Sequence, residues 1–178
     1  MEKTGLLIID MQVAMFSFPD NQPYQGEIVV SNIQQLIKTA RENHVPVIFV
    51  QHNEEEGEFL RTGETWQILP ALAPIAGEPI IEKTESDAFF RTDLEQKLKD
   101  LEISRLIITG MQSEFCVDAT TRSADKHGYE PILVSDAHST MDNNGQTSKS
   151  IVTRQNRNSG KDVAQLMSTE EVLKLLES

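Results

Sequence analysis

Residues 105–117 read Arg-Leu-Ile-Ile-Thr-Gly-Met-Gln-Ser-Glu-Phe-Cys-Val. Within residues 105–109 the run Leu106-Ile107-Ile108 is apolar without polar alternation, the pattern of a strand buried on both faces. Gly110 closes that run. Residues 114–127 then read as a helix that stops at Gly128, a residue suited to the left-handed position after a helix. A buried strand, a glycine turn and a helix make one βα unit of a parallel sheet.

The same unit recurs on either side. Gly5-Leu-Leu-Ile-Ile9 is a second continuous apolar run, ended by Asp10, and residues 27–43 follow with apolar positions at helical spacing (Ile28, Val29, Ile33, Leu36, Ile37, Ala40). Pro46–Val50 and the shorter Pro79–Ile81 read as strands. Thr92 caps a helix running to about Leu101. Glu130–Ser135 is a further strand. The tail gives a helix over 147–158, a short strand near Val163–Met167 and a last helix begun by Ser168 or Thr169. Alternating strands and helices predict an α/β fold, a three-layer (α/β/α), mostly parallel, Rossmann-like sheet forming one domain over residues 1–178.

Composition narrows the function. Lys plus Arg is 16 and Asp plus Glu is 28, a formal net charge of −12. Such a chain repels phosphate backbones and anionic membranes, so neither nucleic acid nor a membrane is expected as partner. No apolar run is long enough for a signal segment or a span. The single cysteine excludes an intramolecular disulfide and suits a reducing cytoplasm.

In open α/β sheets ligands sit beyond the carboxyl ends of the strands. There the chain carries Asp10, Gln51 to Asn53, Glu82 to Thr84, Gly110 to Cys116 and Asp136 to His138. Asp10 lacks the acidic neighbour that a phosphate-accepting receiver domain needs. Asp10-Met-Gln-Val-Ala has no glycine for a nucleotide-binding turn. Cys116 is the most informative residue. It lies two or three residues past an N-cap at Glu114 or Ser113, in the first turn of the helix, where a helix dipole favours thiolate and free N–H groups can hold an oxyanion. With Lys83 orienting Asp10, and Asp10 as general base, the three form a nucleophile–base–orienter set. Each has a plainer reading too: a buried structural thiol, a surface lysine, a loop-capping aspartate.

Three stretches together, Leu-Leu-Ile-Ile-Asp10-Met-Gln, Ile-Glu-Lys83-Thr-Glu-Ser-Asp-Ala-Phe89 and Thr-Gly110-Met-Gln-Ser-Glu-Phe-Cys116-Val, resemble the isochorismatase-like cysteine hydrolases, whose members include nicotinamidases, N-carbamoylsarcosine amidases and isochorismatases. The resemblance implies a catalytic triad of Asp10, Lys83 and Cys116, a cis peptide at Met111–Gln112, and an oxyanion hole from the N–H groups of Gln112 and Cys116. It implies no cofactor, a small-molecule substrate and a homo-oligomer, a dimer or larger. Gln51-His52-Asn53 departs from the Asp-x-His pattern with which nicotinamidases hold a metal, so no metal is expected. Phe49-Val-Gln-His52, Trp66 and the surroundings of Phe89 and Cys116 are most similar to a streptothricin-hydrolase-like branch, which opens amide bonds. Phe16, His52, Trp66 and Phe89 are the candidate pocket residues. The expected activity is hydrolysis of a small amide through a thioester. The alternatives are vinyl-ether hydrolysis of an isochorismate-like acid and a non-catalytic binding protein that keeps the fold.

Overall fold

The structure, a computed structural model, describes residues 3–178. Six strands form one sheet in the order β3-β2-β1-β4-β5-β6, and every pair is parallel. They are β1 (Thr4–Ile9), β2 (Val47–His52), β3 (Ile80–Lys83), β4 (Arg105–Met111), β5 (Glu130–Ser139) and β6 (Gln165–Met167). Five helices connect or follow them: α1 (Gly26–Glu42), α2 (Leu94–Asp100), α3 (Asp118–Lys126), α4 (Ser148–Asp162) and α5 (Thr169–Glu177).

Side chains along a strand point alternately to its two faces, and β1 shows that both faces are covered. Leu6 and Ile8 join one core with Ile33, Leu36 and Ile37 of α1 and Val172 and Leu176 of α5. Leu7 and Ile9 join the other, with Leu94 and Leu98 of α2 and Ala124 of α3. This is the three-layer arrangement that the unalternating strands require. No helix among the described residues is long and apolar enough to cross a membrane.

The sheet order locates the crevice. From β1 the chain winds outward through β2 to β3, then returns to pair β4 against the other edge of β1 and winds outward the opposite way. The order reverses between β1 and β4, and in open α/β sheets that switch point is where ligands bind. Asp10 leaves the sheet at the end of β1, and the segment from Gln112 to Cys116 leaves it at the end of β4.

Gly110 permits the close approach of these two strand ends. Its φ is +119°, and a Cβ there would collide with the Ile9 carbonyl oxygen and lie 2.7 Å from the Ile9 nitrogen. Gly128, which ends the helical segment, has φ +83° and open space around it. Gly110→Ala is expected to cost about 3 kcal/mol or more, from left-handed strain plus backbone collision. Gly128→Ala carries only the left-handed penalty of about 1–2 kcal/mol. Urea denaturation of both variants checks this, and equal losses would mean that β1 and β4 are not held this closely.

Three local expectations are corrected. The segment read as a helix from 114 opens as a π-type turn, Ser113–Val117, before α3 begins at Asp118. The Gln112 carbonyl accepts from the N–H groups of both Phe115 and Val117 at 3.1 Å, which widens the turn across Cys116. The strand read as Glu130–Ser135 runs on to Ser139. A register irregularity between Ile108 and Gly110 lets β5 pair again, His138 opposite Gly110 and Ser139 opposite Met111. His138 therefore lies inside a strand and not beyond its end. Lys83 is likewise the last residue of β3 rather than the first of a loop.

Candidate active site

Asp10 adopts φ +49° immediately after β1 and is fully buried. Left-handed backbone in a non-glycine residue is uncommon and concentrates at functional sites. The turn aims its carboxylate across the switch point at Lys83, whose Nζ lies 2.8 Å from Asp10 Oδ2 with both side chains 0% exposed. Lys83 Nζ also lies 3.0 Å from His52 Nδ1 and donates to Cys116 Sγ at 3.3 Å. An ammonium has three hydrogens and no acceptor, and here each has a partner. The four side chains come from the residue after β1, from β2 and β3, and from the turn after β4.

Burial lowers the affinity of Lys83 for its proton, but Asp10 and Cys116 beside it outweigh that, and its pKa is raised. Lys83 is therefore a fixed cation. His52 moves the other way: burial first, then the Lys83 charge, lower its pKa despite Asp10 and Glu54. A neutral imidazole facing an ammonium must accept at Nδ1, so Nε2 carries the hydrogen and faces Glu54 Oε1 at 3.3 Å.

The thiol contradicts the expectation of a thiolate favoured by a helix dipole. Burial, reinforced by Asp10 and only partly offset by Lys83, pushes Cys116 up to about 12. There are two physical reasons. The residue sits in a π-type turn of a desolvated cluster, not in the open first turn of an α-helix. Asp10 already balances the one positive charge, so a second anion lacks compensation. The resting thiol is protonated and hydrogen-bonded to the buried Asp10 carboxylate, which is in position to take that proton.

Asp10, His52 and Cys116 each offer a ligand atom, all within 4.8 Å of one another, the only such metal-type grouping among the described residues. The Lys83 ammonium is in contact with all three residues. A metal ion at their centre would collide with it, so the set fits a lysine cation and not a divalent ion.

Two buried braces hold this cluster. Gln12, 0% exposed, donates from Nε2 to the carbonyls of His52 (3.0 Å) and Trp66 (2.8 Å), while its Oε1 accepts from the His52 N–H (2.9 Å). Sequence reasoning assigned Gln12 no role, although it stands two residues after Asp10 in the first motif. The second brace is Ser113–His138–Asn156. Asn156 Nδ2 donates to Ser135 O, so its Oδ1 accepts from His138 Nε2 at 2.7 Å, and Ser113 Oγ donates to His138 Nδ1 at 2.7 Å. Ser113 and His138 are 1% and 2% exposed, so this Ser–His pair braces the turn before Cys116 without facing solvent. The Met111–Gln112 peptide leading into that turn is cis.

Of the four candidate pocket residues, only His52 joins the cluster. Phe16 packs on the core beneath α1, against the backbone at Gly26. Trp66 donates from Nε1 to Asn53 Oδ1 at 2.6 Å, and its carbonyl receives Gln12 and Gln51, so it ties down its own loop. Phe89 is stacked on His127 (4.8 Å) and tilted against Tyr129 (5.8 Å) in the core. The cavity beside Gln112, about 420 Å³, is lined instead by Met15, Phe18, Phe59, Phe115 and Met141, with Asn21, Asp142 and Asn143 at its edge.

Comparison with known proteins gives the same architecture. Residues 4–171 match the isochorismatase domain family. The isochorismatase family protein YddQ of Bacillus subtilis (strain 168) is 35% identical over 140 residues, covering 77% of this chain and 78% of its own. Streptothricin hydrolase of Streptomyces noursei is 32% identical over 139 residues, covering 78% of this chain and 55% of its own. Among solved structures, an isochorismatase from Pseudomonas putida KT2440 superposes with a TM-score of 0.87 at 31% identity, over 94% of this chain and 88% of that one. A cysteine hydrolase from Pseudomonas syringae pv. phaseolicola 1448A shares the fold at a TM-score of 0.91 and 23% identity, over 98% and 92% of the two chains.

Proposed function

The chain belongs to the isochorismatase family, and on that premise we propose that it is a cysteine-dependent hydrolase that opens the carbon–nitrogen bond of a small amide through a thioester. The observation that carries this reading is the single buried cluster in which Lys83 Nζ touches Asp10, His52 and Cys116. Cys116 Sγ attacks the carbonyl as Asp10 takes its proton. The cluster's net charge is zero before and after: carboxylate, ammonium and thiol become carboxylic acid, ammonium and an anion on sulfur or on the tetrahedral oxygen. A desolvated site therefore creates no net charge in that step. Lys83 keeps Asp10 oriented and then pairs the new anion. The backbone N–H groups of Gln112 and Cys116 are the proposed oxyanion donors. Asp10 returns the proton to the departing amine, which an amide requires and an activated ester does not. Water then hydrolyses the thioester.

His52 holds Lys83 by accepting its third hydrogen. The match to a relative named streptothricin hydrolase supports a hydrolytic reaction on a small molecule. The same reading places the enzyme in the cytoplasm as a homo-oligomer of one hydrolase domain over residues 1–178, with no cofactor.

A panel of amides, lactams and carbamoyl compounds, scored for ammonia or amine release, tests this function. Release with an acyl-thioester on the protein supports it. Turnover of a vinyl ether with no thioester replaces it with the alternative. Chelator treatment is expected to leave turnover unchanged, because the Lys83 ammonium stands where a metal would. Activity lost to chelator and restored by zinc, iron or manganese would contradict that assignment.

A further inference from the structure

The cavity beside the nucleophile differs from a site for an acid. It holds about 420 Å³, near the lower end of small-molecule pockets. None of Asp10, His52, Lys83 and Cys116 lines it, but three of its wall residues adjoin that cluster. Gln112, the residue that opens the turn carrying Cys116, lines it. Phe115, the neighbour of Cys116, forms a wall and is 43% exposed. Phe59 forms another wall, and its ring meets His52 edge-on at 5.5 Å, on the imidazole that touches Lys83.

The lining is apolar where it is deepest. Met15 and Met141 are 4% and 8% exposed, and Phe18 extends the apolar surface outward. No lysine, arginine or histidine lines it among the described residues. Its one ionisable group, Asp142, is an anion. The carboxylate accepts from the Ser148 N–H at 2.7 Å, and hydrogen bonds from Ser148 hold it below the usual carboxylate range. Lys83, the cation of the neighbouring cluster, is already saturated by its three partners, and Arg154 is committed to Gln146 Oε1 at 2.7 Å.

We infer that the acyl group taken by this site is uncharged and apolar, of phenyl or short alkyl size, and that carboxylate-bearing acyl groups are excluded. The inference rests on Cys116 being the nucleophile. Apolar acyl groups gain from leaving water against Phe115, Phe59 and Met141, while sulfur in the two methionines adapts to ring edges. A carboxylate entering the same space loses its hydration, meets no cation and approaches Asp142. An isochorismate-like diacid is disfavoured on the same ground.

The test uses the full chain and two matched pairs: phenylacetamide against 4-carboxyphenylacetamide, and hexanamide against the monoamide of adipic acid. The neutral member of each pair is expected to have the higher kcat/KM by about 10²-fold or more, the effect of desolvating one uncompensated carboxylate. Phe115→Arg places a cation on an exposed wall and is expected to narrow the gap by about tenfold or more. Equal or better turnover of the carboxylated members by the wild-type chain overturns the inference. Binding of the same four compounds to Cys116→Ala, by calorimetry, separates this outcome from failure of the amide reading. Preference for the neutral compounds without wild-type turnover upholds the pocket assignment and rejects the chemistry. Binding with no preference, or no binding of the neutral compounds, rejects the pocket assignment.

Discussion

Asp10→Asn is expected to lower amide turnover by about 10²–10⁴-fold, the range of a general acid–base contribution, while making Cys116 more reactive toward iodoacetamide. The two effects have opposite signs because Asp10 acts on the thiol in two ways. It accepts the proton during attack, and its charge opposes ionisation of the resting thiol. Asparagine removes both. The Lys83 ammonium, 3.3 Å from Sγ, then lacks its carboxylate partner and favours the thiolate. Alkylation needs only a thiolate and speeds up. Amide hydrolysis also needs a proton for the leaving amine, which asparagine cannot supply. Activated esters, whose leaving groups need no proton, should lose far less turnover than amides. In the wild-type chain, the same burial makes alkylation at neutral pH no faster than that of a model thiol. A variant that loses alkylation and turnover in parallel would show that Asp10 is only a structural cap.

Cys116→Ala is expected to remove turnover on the best amide by about 10⁴–10⁶-fold, as loss of a nucleophile does. The fold should survive. Cys116 is only partly buried, and the Asp10–Lys83 pair, with both side chains fully buried, remains intact. Urea unfolding should therefore change little, which separates this variant from Lys83→Met. Removing the lysine strands Asp10 as an unpaired buried charge, a loss of about 3–5 kcal/mol. Retained turnover in Cys116→Ala would reject Cys116 as the nucleophile.

The sheet was legible in the sequence because its strands are buried on both faces and interrupted by glycine or aspartate at the switch point. Asp10, Lys83 and Cys116 were legible as strand-end residues, and the structure brings them together. What escaped was set by tertiary contact. The π-type turn depends on one carbonyl, that of Gln112, receiving two N–H groups. The extension of β5 depends on its pairing with β4 resuming at Gly110. The thiol's high pKa depends on how completely the cluster is desolvated, which residue order does not reveal. His52 stood among aromatic candidates, but its contact with Lys83 depends on β2 and β3 pairing His52 beside Lys83. Gln12 lay in plain view, yet only the approach of the 52–66 loop makes it a clamp.

Intact-protein mass spectrometry during turnover of a slow amide or an activated ester tests the central claim most directly. The account predicts one acyl adduct on the wild-type chain, mapped to Cys116, formed and discharged at rates consistent with turnover and absent from Cys116→Ala. Steady turnover with no adduct on Cys116, or an adduct that persists when Cys116 is replaced by alanine, would contradict it.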